Sequence, residues 1–261
     1  MRGAIVAGLL ALLGASPAAA QSAPVSWALT VDPTKELALA TSAHASGQVL
    51  AVRCQAGLLD VLVLGLPALL DATRYIETTY GDHPTESVHW FGSPDGAMAY
   101  SPTPGMTARR LREGGRLQLA AAIAPGDSSP LGQYALDLPS DSTAVDQVLA
   151  ACDEPLVKPR EDRPHWRQSR VMSPSLWRRM PNPEVPETAY ATSTRVGFAV
   201  LSCVVADDGR PVDCDVEYQS DRRIGFGQSA IRAMRTARLA MDAAGAPRPG
   251  DLVVMTVRYQ I

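Results

Sequence analysis

The chain has 261 residues, with 27 acidic against 24 basic side chains and a net charge of −3. That balance lacks the basic excess through which nucleic-acid-binding proteins neutralise phosphates. The length suggests two domains, each able to bury a core.

Residues 1–20 read as a secretory signal peptide. Arg2 supplies the positive start, residues 4–13 form a short apolar core, and Ala18-Ala19-Ala20 fits an A-x-A cleavage site before Gln21. Spanning a bilayer takes about 20 apolar residues, which this core does not reach. No Cys follows the cleavage site, so a lipoprotein is not expected. The expected location is the periplasm. In that oxidising compartment the four cysteines, Cys54, Cys152, Cys203 and Cys214, are expected to be disulfide-bonded.

Residues 24–155 form the first predicted domain. Trp27, Leu29 and Val31 alternate with other residues, as do Leu37 and Leu39. Strands are predicted at 49–54 and 58–64, joined by Gln55-Ala56-Gly57, and then at 87–91, 97–100, 116–123 and 133–138. Short strands between Gly, Pro and Asp punctuation predict an all-β, sandwich-like domain. Ser140 or Ser142 then caps one helix reaching about Ala151. Its Ala144, Val145, Val148, Leu149 and Cys152 follow helical spacing.

Residues 156–182 are the predicted linker, inside a stretch from 153 to 186 with seven prolines and many charges. Trp166 and Trp177 are its strong apolar anchors. An extended chain is expected, with a short helix around 174–179.

Residues 183–261 form the second predicted domain. Two β-rich runs, 196–205 and 211–218, flank Asp207-Asp208-Gly209-Arg210. With Asp208-Gly209 at the turn, Cys203 falls directly opposite Cys214, and at about 5.5 Å between Cα atoms a disulfide is allowed. Cys54 and Cys152 then pair by elimination. A helix from about Gly225 to Leu239 carries Phe226, Ala230, Ala233, Met234 and Ala237 on one face. A turn at 245–250 and a closing strand at 252–261 complete a β-β-α-β order, an α+β domain with a helix on one face of a sheet.

These residues carry a resemblance. Pro183-Glu184-Val185-Pro186 with Ala189, the hairpin, Gly225-Phe226-Gly227-Gln228-Ser229-Ala230, a Gly-Pro turn and a terminal strand are similar to the C-terminal domain of TonB-type energy transducers, over about residues 180–261. The chain departs from that pattern with Val185-Pro186 where the family often has Tyr-Pro, and its paired cysteines resemble a variant subgroup. The resemblance implies a periplasmic module that takes a partner segment on a sheet edge by strand addition. The candidate edge is Leu252, Val253, Val254, Met255, Thr256, Val257, Arg258 and Tyr259. The implied partner is the periplasmic segment of an outer-membrane transporter or another envelope protein, and a second copy of the chain is the alternative. The first domain resembles secreted proteins of the invasion-associated locus B type, through Tyr134 to Leu138 followed by the helix ending at Cys152. That resemblance implies an export-associated accessory domain.

No catalytic constellation is visible. His44, His83, His89 and His165 have no metal-ligand spacing, and no G-x-S-x-G elbow occurs. Gly225-Phe226-Gly227 lacks the third glycine of a nucleotide loop, and Asp207, Asp208, Asp213 and Asp215 lack the geometry of a calcium loop. Neither metal, cofactor, nucleotide nor nucleic acid is expected. Arg109-Arg110, Arg178-Arg179, Arg222-Arg223 and the helix arginines Arg232, Arg235 and Arg238 are expected on the solvated surface.

The reading is a non-enzymatic exported periplasmic protein that binds a partner by strand addition. One alternative is an anchored transducer or transport accessory that keeps residues 1–20. The other is an envelope enzyme with its site in the first domain. The cleavable leader and the absence of a long Pro-Lys or Pro-Glu spacer argue against energy transduction by this chain alone.

Overall fold

A computed structural model describes residues 25–71, 73–125, 129–165, 174–192 and 195–261. The expected signal peptide and Trp166 lie outside the described residues. The first half is built from β1 (Ala28–Asp32), β2 (Leu37–Ala43), β3 (Val49–Gln55), β4 (Leu58–Leu64), β5 (Thr73–Tyr80), β6 (Glu86–Gly92), β7 (Met98–Tyr100), α1 (Pro104–Arg112), β8 (Gly115–Ala122), β9 (Leu131–Leu138) and α2 (Thr143–Ala151). The β3–β4 turn works because Ala56 and Gly57 both adopt positive φ, 49° and 72°, the geometry a two-residue hairpin needs. Alternation then sends Leu50 and Val52 of β3, Ile76 of β5, Leu117 and Leu119 of β8 and Leu136 of β9 into one core with Val145, Val148 and Leu149 of α2. The Cys54–Cys152 disulfide, 5.6 Å between Cα atoms, ties the end of α2 to β3.

The fold is β-rich and antiparallel as expected, with two corrections. The nine strands form one hydrogen-bonded sheet, in the order β1-β2-β3-β4-β7-β6-β5-β8-β9. Among the described residues its two wings are joined only through three-residue β7, which pairs with β4 at 98–100 and with β6 at Phe91 and Gly92. A second helix, α1, also appears. Its opening Pro104-Gly105 reads as a turn in sequence, yet proline at the first helical positions is favourable because its missing N–H has no intrahelical role there. Strand β5 is hidden for a different reason. Its inward side chains are Arg74, Ile76, Thr78 and Tyr80, of which only one is aliphatic.

The second half comprises β10 (Trp177–Arg179), α3 (Glu187–Tyr190), β11 (Val196–Val205), β12 (Pro211–Gln219), α4 (Phe226–Met234), β13 (Arg238–Leu239) and β14 (Leu252–Gln260). Its main sheet has the order β12-β11-β14, with α4 on one face, and β10 pairs with β13. Leu201 and Cys203 of β11, Phe226 and Met234 of α4, and Val253 and Met255 of β14 share one core. The glycines around Phe226 serve this packing. A Cβ at Gly197 would lie 2.1 Å from Phe226 Cζ, and one at Gly227 would lie 2.6 Å from a Val216 methyl. Helix α4 stops at Met234 rather than running to Leu239, because Arg238 and Leu239 are drawn into pairing with β10.

The hairpin register departs from the expectation in an informative way. The turn has three residues, Asp207-Asp208-Gly209, closed by the Ala206 N–H on the Arg210 carbonyl at 2.9 Å, with Gly209 at φ 76°. That turn alone would set Cys203 out of line with Cys214. An extra residue in β12, Asp213 at φ 48°, forms a bulge between the Val204↔Val212 and Ser202↔Asp215 pairs and restores the match. The Cys203–Cys214 disulfide forms there, 4.1 Å between Cα atoms.

The segment between the halves is packed rather than largely extended. Glu161 and Leu176 are buried, Pro159–Asp162 and Pro174–Leu176 are short 3-10 turns, and Trp177 begins β10. The face of the second sheet away from α4 rests on the first half. Phe91 of β6 lies 4.5 Å from Phe198 of β11 between ring centroids, and Met106 of α1 packs with Val204 and Leu252.

Candidate functional site

Strand β14 is an edge strand. Val253, Met255, Val257 and Tyr259 turn into the core under α4, where the Tyr259 hydroxyl donates to the Phe226 carbonyl at 2.8 Å. In an antiparallel ladder the backbone groups alternate with the side chains. Residues facing away from α4 therefore also direct their N–H and C=O groups away from β11. At Leu252 that outer edge is in use: its N–H donates to the Pro164 carbonyl at 2.8 Å, and His165 forms a parallel bridge with it. The eight expected edge residues thus divide by role. Leu252 is paired from outside by the chain itself, and Val253, Met255, Val257 and Tyr259 belong to the core and the β11 ladder. Val254, Thr256 and Arg258 present outward backbone groups that no described strand pairs.

These three residues line a cavity of 790 Å³. Its facing wall is β6, whose residues 86–90 have no strand on the side away from β5 among the described residues. Met106 and Thr107 of α1 and Trp177, Met180, Pro181 and Pro183 complete the lining. One end is closed by His165, whose Nδ1 lies 3.8 Å from Glu86 Oε1 while its Nε2 is 3.0 Å from the Glu161 carbonyl. Toward the other end Phe91 packs at a tilt against Phe198, the ladder partner of Arg258. The β14 edge and the free part of β6 therefore run side by side in the same direction.

The cavity lining combines apolar Trp177 and Met180 with polar Ser101 and Thr107. Ser101 Oγ and Thr107 Oγ1 are hydrogen-bonded to each other at 2.7 Å. Burial, and next the nearby Glu86 carboxylate, push the Tyr80 phenol well up, so it stays protonated. Trp90 is 2% exposed and its Nε1 has no acceptor among the described residues. The β6 wall does not stand out in the sequence, because its residues 86–90 are set apart only by having no second strand neighbour among the described residues, and periodicity does not record sheet order.

A smaller cleft of 320 Å³ lies where Glu154, Lys158, Glu217 and Arg222 meet. It is part of an ionic network between the halves. Arg109 of α1 holds Glu161 through Nε at 2.8 Å and Nη2 at 2.5 Å, and Glu154 through Nη1 at 2.9 Å. Lys158 Nζ is 3.2 Å from Asp215, and Arg160 Nη1 is 2.8 Å from the same carboxylate. Burial pushes the Glu217 carboxyl up, an effect opposed by the Lys158 ammonium and the Ser202 hydroxyl. One expectation is corrected here: Arg109 is buried, not solvated. Arg178 with Asp242, at 3.5 Å, and Arg223 with Asp221, at 2.9 Å, are ion pairs at the surface.

The histidines stay apart: His83 pairs with Glu113 at 2.7 Å, and His89 packs edge-on to Tyr75 at 5.6 Å. Among the described residues, no group of three His, Cys, Asp or Glu side chains is placed to hold a metal ion, and no helix is long and apolar enough to cross a membrane.

No family model matches the chain, and no curated protein matches it. Among solved structures, invasion associated protein B from Bartonella henselae is similar at 16% identity with a TM-score of 0.35, covering 51% of this chain and 100% of that one. This weak likeness is to the type of protein that the first half was expected to resemble. It is too slight to carry an argument about fold or function.

Proposed function

We propose that the chain is a non-enzymatic, exported periplasmic protein that binds an extended segment of an envelope partner by strand addition along β14. The observation that carries this reading is the bond from Leu252 N–H to the Pro164 carbonyl. The outer edge takes a backbone partner at its first position, and the next outward groups, at Val254, Thr256 and Arg258, line a cavity with room for more chain. Main-chain bonds supply affinity in this mode, each contributing about 0.5–1.5 kcal/mol net, and the side chains facing the cavity supply selectivity. The TonB-type resemblance points to the periplasmic segment of an outer-membrane transporter as the partner.

The test is a photo-reactive residue at Thr256 in cells that express the full chain. Cross-links to the periplasmic segment of an outer-membrane transporter are expected. Cross-links to a second copy alone would replace the transporter with self-association. Capture only through the first half would overturn the use of β14. N-terminal sequencing separates the anchored alternative: a mature chain beginning at Gln21 excludes it, and one beginning at Met1 requires it.

A further inference from the structure

Besides His89 and His165, the ionisable side chains with a formal charge at neutral pH that line the cavity beside β14 are Glu86 and Arg258. They belong to opposite ends of it. Glu86 is at the His165 end, where Leu252 begins the strand, and has His165 Nδ1 3.8 Å away. Arg258 stands near the far end of β14, about 20 Å along at about 3.4 Å per residue. It is exposed and makes no ion pair among the described residues. Its ladder partner on β11 is Phe198, which brings no counter-charge, and the position on its other side is the open edge. The charge left unmet in the cavity is therefore positive.

Resting on the strand-addition reading, we propose that the segment accepted by β14 carries an aspartate or glutamate side chain directly across from Arg258. Side chains on one face of neighbouring strands meet in pairs, and a pair of opposite charges is favourable where a pair of like charges is destabilising. A guanidinium also offers a fork of donors that a carboxylate can take with both oxygens. A lysine or arginine at that position would be repelled, and a neutral side chain would leave Arg258 to water. The acid is specified at this end of the groove. A carboxylate at the other end would meet Glu86, and at about 20 Å the two ends lie beyond the screening length of about 8 Å, so each selects separately. Between them Thr256 and Val254, on the same face as Arg258, take polar and apolar neighbours at alternate positions of the segment.

The test uses the protein without its leader and a fluorescein-labelled heptapeptide, Thr-Val-Thr-X-Thr-Val-Thr, with X as Asp, Asn or Lys, titrated by polarisation at low salt. The peptide reads the same in both directions, so either strand sense can bring X to Arg258. The Asp peptide is expected to bind about threefold tighter than Asn, and the Lys peptide about threefold weaker. Arg258→Glu should reverse that order, and 1 M NaCl should flatten it in both proteins. Because the reversal is a gain for the Lys peptide, poor folding of the variant cannot produce it. Thr256→Pro should weaken all three peptides alike. An affinity order that ignores X, or that survives Arg258→Glu, with Thr256→Pro still weakening every peptide, would overturn the acidic assignment and leave strand addition standing. No binding of any peptide, or binding indifferent to Thr256→Pro, would overturn strand addition and the assignment with it.

Discussion

Arg109 and Glu161 lie 52 positions apart and form a two-pronged ion pair, Nε to Oε2 at 2.8 Å and Nη2 to Oε1 at 2.5 Å, with both side chains almost excluded from solvent. The pair fastens the segment between the halves to α1. Removing one partner leaves a buried charge without compensation, whereas removing both is far less costly. Arg109→Met is therefore expected to lose about 3–5 kcal/mol of stability, and the Arg109→Met/Glu161→Leu double variant to recover most of it. Denaturant unfolding of the two variants checks this. A double variant as unstable as the single one would contradict it.

The two disulfides should differ in worth. Cys54–Cys152 closes a span of 98 residues and Cys203–Cys214 one of 11. On loop-closure entropy the long bridge contributes about 4.7 kcal/mol and the short one just under about 3 kcal/mol. Replacing the Cys54 and Cys152 pair by serines should lower the unfolding midpoint more than replacing Cys203 and Cys214. The reverse order would show that the short bridge is needed to hold the bulged register at Asp213.

Glu217 gives the fold a pH signature. Burial raises its carboxyl above the ordinary 4.5, against the opposing Lys158 ammonium and Ser202 hydroxyl. The folded state therefore binds this proton more tightly than the unfolded state. The group's contribution is fully present below about 4.5 and is lost as pH climbs through the raised value. Glu217→Gln should stabilise the protein at pH 7, and the gain should shrink as pH falls through the raised value toward 4.5. Unfolding midpoints of both proteins across pH 4 to 8 decide it. A constant difference would contradict burial as the controlling cause.

Gly197 is held by packing rather than by backbone angle, since its Cβ would meet the Phe226 ring at 2.1 Å. Gly197→Ala should cost about 1–3 kcal/mol, and Phe226→Leu in the same chain should relieve part of that cost. Additive losses in denaturant unfolding would mean that the ring is free to move aside.

What could be read in the sequence was whatever depends on neighbours along the chain. The β3–β4 hairpin announces itself through Gln55-Ala56-Gly57 between apolar runs, and the second-half order follows from turn residues and helical spacing. The facing cysteines of β11 and β12 were placed correctly although the turn was one residue too short, because the Asp213 bulge offsets the longer turn. A bulge of that kind has no reliable local signature when the αL residue is aspartate rather than glycine. Helix α1 was hidden by its Pro104-Gly105 opening, and the burial of Arg109 and the packed inter-half segment were hidden because long-range ion pairs decide them. Of the candidate site, β14 was legible as a closing strand. Which of its groups face outward, and the β6 wall opposite them, depend on the sheet order.

Strand addition at β14 is tested most directly by a proline at an outward-facing N–H. Thr256 does not give its N–H to β11 and has no other strand partner among the described residues, so Thr256→Pro deletes an outward edge donor and leaves the β11 ladder whole. The measurement is in-cell photo-capture from Ser87, on the facing β6 wall, in the native chain and in Thr256→Pro. The account predicts that capture of the partner is lost in the variant while its unfolding midpoint stays close to that of the native chain. Undiminished capture in a folded Thr256→Pro protein would contradict it.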